Sequence, residues 1–229
     1  MVDDKPIPTR AGSTANGIIW NSLGIFSRQF FLIASAVLLA RILGPGNYAV
    51  VALAGVYTAF TTLLLDQGLT APLIAKQQLT ERYAGASATL NIILAGLLAV
   101  ASVLVAPAAA EFVDVPDFKY VMMALAVALP FKALSIVPRA ILARSVNFRT
   151  QALVDVVASM IGGVVLIVFL TTGSSYWSFV YQVVAVDVAV AVGLLAIVRP
   201  PLLNFRLRQL SESFGFGMHV LLSNLLSYT

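Results

Sequence analysis

Six blocks of roughly twenty apolar residues, separated by short polar or turn-forming segments, constrain this chain more than any other feature. Each is long enough to cross a hydrocarbon core about 30 Å thick at about 1.5 Å per helical residue. They read as spans over Gly17–Leu39, Tyr48–Leu69, Ala84–Ala108, Phe118–Val137, Ala152–Leu170 and Tyr176–Val198. A seventh block begins near Phe214 and stops at Thr229, before it could cross. Turn chemistry ends the blocks: Gly44-Pro45-Gly46, Val115-Pro116-Asp117, Thr172-Gly173-Ser174 and Arg199-Pro200-Pro201. A membrane β-barrel would show segments of about ten residues with alternating polarity, and nothing here alternates. The expected fold class is all-α: a polytopic transmembrane helical bundle of six helices plus the start of a seventh.

Composition agrees and narrows the chemistry. Charged residues make up 10% of the chain, against about 25% in soluble domains. Without cysteine there are no disulfides and no thiolate metal sites, and the single histidine, His219, forms no multi-histidine metal site alone. No metal or other cofactor is expected. The net charge of +4 does not point to nucleic acid, because the basic residues sit in loops between spans. The first sixteen residues are polar and lack the order of a removable signal peptide, so the first span is expected to stay as an uncleaved anchor. The organisation read from the sequence is a polar N-terminus over 1–16, a six-helix lobe over 17–198, a linker over 199–211 and a helix start over 212–229.

Lys and Arg counts in the short loops set orientation. One set of segments carries Lys5, Arg10, Lys76, Arg82, Arg139, Arg144, Arg149, Arg199, Arg206 and Arg208; the alternate set carries only Arg41 and Lys119. Ten against two places the N-terminus and the even-numbered loops in the cytoplasm, with Glu111, Asp114 and Asp117 outside. The segment from Pro138 to Gln151 reads as a loop in which Arg139, Arg144 and Arg149 mingle with Ala140, Ile141, Val146 and Phe148. It is either a short helix lying on an anionic leaflet or ordinary positive-inside charge.

Charges within spans are costly in lipid and mark function by default. Arg28 lies eleven residues after Gly17, about 16 Å along the helix and near mid-bilayer. Asn21, Ser22, Arg28, Gln29 and Ser35 fall at helical spacings on one side of that span. Such a stripe faces protein or a wet cavity; the plainer reading makes Arg28 an internal salt-bridge partner. Thr58, Thr61, Thr62 and Asp66 follow on the second span, though hydroxyls often only bond the backbone one turn back. Ser87 and Asn91 mark the third. Lys132 is expected to snorkel its long stem to the cytoplasmic surface. Asp155, Ser159 and Gly162-Gly163 form a small-residue face suited to close helix packing. Asp187 sits at about the depth of Arg28, so the two could pair. The candidate cavity residues are therefore Arg28, Asn21, Gln29, Asn91 and Asp187. No carboxylate pair, phosphate-cradling glycine loop or nucleophile with a base stands out, so enzymatic activity is not expected.

Three segments carry a resemblance. They are Ala40-Arg41-Ile42-Leu43-Gly44-Pro45-Gly46-Asn47-Tyr48, then Asp66-Gln67-Gly68-Leu69, then Pro138-Arg139-Ala140-Ile141-Leu142-Ala143-Arg144 with Asn147-Phe148-Arg149. In order and spacing the chain resembles the polysaccharide-biosynthesis branch of the multidrug/oligosaccharidyl-lipid/polysaccharide exporter superfamily. The resemblance implies one lobe of a two-lobed transporter in the bacterial cytoplasmic membrane. Its implied partners are the lipid bilayer, an isoprenoid-pyrophosphate-linked saccharide and a C-terminal lobe beyond Thr229. The implied function is flipping of lipid-linked saccharides by alternating access. A cation-coupled drug exporter of the same superfamily and a non-transporting membrane subunit are the alternatives.

Overall fold

The computed structural model describes residues 14–75, 81–145, 147–173 and 175–198. They form α1 (Thr14–Ala75), α2 (Glu81–Phe112), α3 (Phe118–Ala126), α4 (Leu129–Arg144), α5 (Phe148–Thr171) and α6 (Trp177–Ile197), with no strand among the described residues. The expected linker and seventh helix lie outside the described residues.

At 62 residues α1 is far too long for one crossing, and its sequence breaks it. Gly44 adopts φ 70°, ψ 174°, a backbone that L side chains disfavour. Pro45 follows, lacking an N–H and pushing the residue before it out of the helical region. The result is two limbs, Ser22–Gly44 and Gly46–Leu65, each apolar and long enough to span. Leu39 and Val51, from opposite sides of the break, are buried together against Leu166 of α5. Tyr176 and Phe179 join that cluster, which places the Gly44 turn level with the start of α6.

The fourth block folds differently from the expected span Phe118–Val137. It is a pair of helices, α3 and α4, that together are long and apolar enough to span and are bent by 42°. Proline explains the break: Pro130 has no N–H for the carbonyl of Ala126, and its ring crowds that carbonyl. The chain closes the gap with tighter bonds, Val127 N to Ala124 O at 3.2 Å and Ala128 N to Leu125 O at 3.0 Å. Beyond the break α4 runs on to Arg144, carrying Pro138 inside it. The expected loop from Pro138 to Gln151 is thus corrected to helix on both sides of a short turn. Ala140 and Leu142 are buried, so apolar packing outweighs the one hydrogen bond that Pro138 forfeits. Asn147 then caps α5, its Oδ1 accepting from the backbone N and hydroxyl of Thr150.

Small residues bring the spans together. A methyl group on Gly162 of α5 would overlap Cγ2 of Val186 on α6. One on Gly193 would lie 3.0 Å from Val154 Cγ1, and one on Gly24 of α1 would lie 3.2 Å from Ala152 Cα. The α5–α6 and α1–α5 contacts are correspondingly the most extensive in the bundle. Away from these seams large apolar side chains face outward, Phe26 and Leu104 among them at 74% and 73% exposed. Such surface would aggregate in water and is suited to lipid. The protein is a multi-pass helical membrane protein.

Candidate functional site

A cavity of about 410 Å³ opens among the two limbs of α1 and helices α4, α5 and α6. Helical periodicity builds its walls. Lys132, Ser135 and Arg139 recur at i, i+3 and i+7 on α4, and Gln151, Asp155 and Ser159 at i, i+4 and i+8 on α5. Asp187 comes from α6, Thr62 from the second limb of α1 and Arg28 from the first. The cavity therefore runs from mid-span toward the end where α4 turns into α5.

Two ion pairs organise it. Arg139 grips Asp155 bidentately: Nη1 donates to Oδ2 at 3.0 Å and Nη2 donates to Oδ1. Lys132 Nζ donates to Thr62 Oγ1 at 2.6 Å and stands 4.0 Å from Asp187 Oδ2. Arg28 is exposed toward the cavity and makes no hydrogen bond or ion pair among the described residues. Three cations against two carboxylates leave the site one positive charge in excess. Gln151 Oε1 is a buried acceptor without a partner among the described residues, and the hydroxyl-bearing Ser135 and Ser159 complete a polar wall.

Several sequence expectations change here. Lys132 does not snorkel: it is 8% exposed, because Thr62 and Asp187 supply inside the bundle what water would supply at the surface. It also takes the place expected for Arg28 beside Asp187. By helical rise Arg28 lies about 24 Å below Gly44, whereas Asp187 lies about 15 Å below Trp177. Arg28 is thus off the mid-plane, nearer the α4–α5 end, and faces Asp187 across the cavity without touching it. Arg139 is a cavity residue rather than a surface-loop residue. Arg144 is half-buried at the end of α4, and Arg149 is exposed with its guanidinium 5.4 Å from the centre of the Trp20 ring.

The remaining candidates are not brought together. Gln29 is exposed outside the cavity wall, since adjacent helix positions point about 100° apart. Asn91 is completely buried on α2, both its amide atoms without partners among the described residues, and it does not line the cavity. The side chains of Asn21 and Asp66 lie outside the described ones. Sequence reasoning singled out neither Ser135 nor Gln151 and read Lys132 and Arg139 as surface residues, although the i, i+3, i+7 spacing of Lys132, Ser135 and Arg139 was there to put them on one face.

The cavity of charges between apolar spans fits what the comparisons find. The chain is 25% identical over 214 residues to the succinoglycan biosynthesis transport protein ExoT of Rhizobium meliloti (strain 1021). That match takes in 91% of this chain and 43% of the relative, so the chain spans less than half of the relative's length. No solved structure matches it. Residues 38–229 match the family described as polysaccharide biosynthesis protein, a stretch that includes every cavity residue except Arg28. The chain belongs to the polysaccharide biosynthesis protein family.

Proposed function

We propose that this chain is one lobe of a transporter that flips lipid-linked saccharide units across the bacterial cytoplasmic membrane for surface or exopolysaccharide synthesis. The observation that carries the reading is the cavity. It holds three cationic and two anionic side chains between apolar spans, in a chain of a polysaccharide biosynthesis family. Excess positive charge at depth suits a pyrophosphate head group, while the isoprenoid tail stays in lipid. Arg28 meets the pyrophosphate, and Gln151, Ser135 and Ser159 bond sugar hydroxyls. Translocation by alternating access needs a second lobe to rock against this one. No covalent step is involved, so the protein acts as a carrier and not as an enzyme. The relative's name, a succinoglycan biosynthesis transport protein, agrees in kind. With Arg139 assigned to the cavity, the remaining nine-to-two charge of the connecting segments supports a cytoplasmic N-terminus and a cavity open toward the cytoplasm.

A cation-coupled drug exporter fits this site less well, because three cationic side chains repel a cationic drug. The test is reconstitution. Together with a complete second lobe, the protein should move a fluorescent isoprenoid-pyrophosphate oligosaccharide across proteoliposome bilayers. Movement no faster than in protein-free vesicles refutes the reading.

A further inference from the structure

We infer that binding of the anionic head group in this cavity is coupled to uptake of one proton at Asp187. This deepens the function proposed above and rests on it. Arg28, Lys132 and Arg139 face Asp155 and Asp187, leaving one net positive charge. A glycosylated isoprenoid pyrophosphate is a diester: it lacks the second phosphate ionisation near pH ~6 and carries two negative charges on either side of that pH. Binding it takes the site to one net negative charge, in a setting where uncompensated charge is costly. One proton restores neutrality.

Geometry selects the acceptor. Asp155 is clasped by both terminal nitrogens of Arg139 and keeps that partner whatever enters. Asp187 is held loosely, with Lys132 at 4.0 Å. The groups facing it are Lys132 and Arg139 from α4, Arg28 from α1 and Asp155 from α5, while Val186 and Val190 flank it on α6. An anion is drawn to Arg28 and Lys132, the two cations outside the bidentate clasp. In doing so it takes away the counter-charges of Asp187. A buried carboxylate left beside an anion is neutralised by protonation. The proton comes from buffer acid on the side to which the cavity opens, one O–H bond forms at the Asp187 carboxylate, and the proton leaves when the anion does.

Linkage then runs both ways. Because binding takes up a proton, affinity falls as pH rises, by up to about tenfold per pH unit where Asp187 is ionised without the anion and protonated with it. The test is calorimetric titration of the purified chain in detergent with a farnesyl methyl pyrophosphate diester. Titrations are run at about pH 6 in two buffers of different ionisation heat, which counts protons directly. Uptake approaching one proton per anion is expected, and it is lost in Asp187→Asn. Asp187→Asn should also bind the diester with an affinity that no longer follows pH. Binding with no proton exchange, or uptake that persists in Asp187→Asn, overturns the inference and leaves the transport reading standing. No binding at any pH overturns both. Should Asp187→Asn fold poorly, the buffer dependence of the native chain decides alone.

Discussion

Replacing Arg139 with alanine removes one half of the tightest ion pair in the cavity and leaves the Asp155 side chain, 12% exposed, without its cation. Breaking a buried pair in this way costs about 3–5 kcal/mol. The Arg139 side chain is 23% exposed, and screening there lowers the expectation to about 2–3 kcal/mol. For a chain of this length each kcal/mol moves the thermal midpoint by about 2–4 °C, so Arg139→Ala should lower it by roughly 4–12 °C. The assay is a melt in detergent followed by the fluorescence of Trp20 and Trp177. Adding Asp155→Asn removes the stranded charge, so the double variant should melt above Arg139→Ala alone. If Arg139 instead lay in a solvated surface loop, the single change would cost under about 1 kcal/mol and the second would rescue nothing. That result would refute the cavity geometry.

Three further outcomes follow from the same structure. Gly162→Ala sets a methyl group against Val186 and should cost about 1–3 kcal/mol, whereas Gly96→Ala, with nothing within 4 Å of the new methyl, should be neutral or slightly stabilising; paired melts decide it. Gly44→Ala forces a Cβ onto φ 70° and should lower the midpoint by the equivalent of about 1–2 kcal/mol, and no loss there would argue against the break between the two limbs of α1. On the proposed topology, a membrane-impermeant thiol reagent in intact cells should label Gly173→Cys and spare Asn147→Cys; the reverse pattern inverts it.

The helices were legible because a bilayer demands long apolar blocks, and Gly44-Pro45-Gly46 announced its own break. Pro130 announced one too, but an apolar block reads as continuous through a proline unless its lost hydrogen bond to Ala126 is followed up. The site was half legible. Arg28 and Asp187 stood out as charges inside apolar sequence, yet counting residues gives depth along one helix and says nothing of which neighbour faces it. Lys132 therefore passed as a snorkelling side chain, since its partners Thr62 and Asp187 lie 70 and 55 positions away. Arg139 was absorbed into the positive-inside count, a rule that takes every arginine near a span end for a loop residue. Gln29 was swept into the stripe by adjacency to Arg28, although neighbouring positions on a helix diverge. Nothing in the sequence around Asn91 could show that both its amide atoms are enclosed without partners among the described residues.

The central claim is that the cations of this cavity draw in an anionic, lipid-linked head group, and Arg28 tests it most directly. Export and membrane abundance are measured together for variants of the complete two-lobed protein. Arg28→Ala should lose export while its abundance stays near that of the native protein, and Arg28→Lys, which keeps the charge, should retain part of the transport. Normal export by Arg28→Ala at normal abundance would contradict the claim.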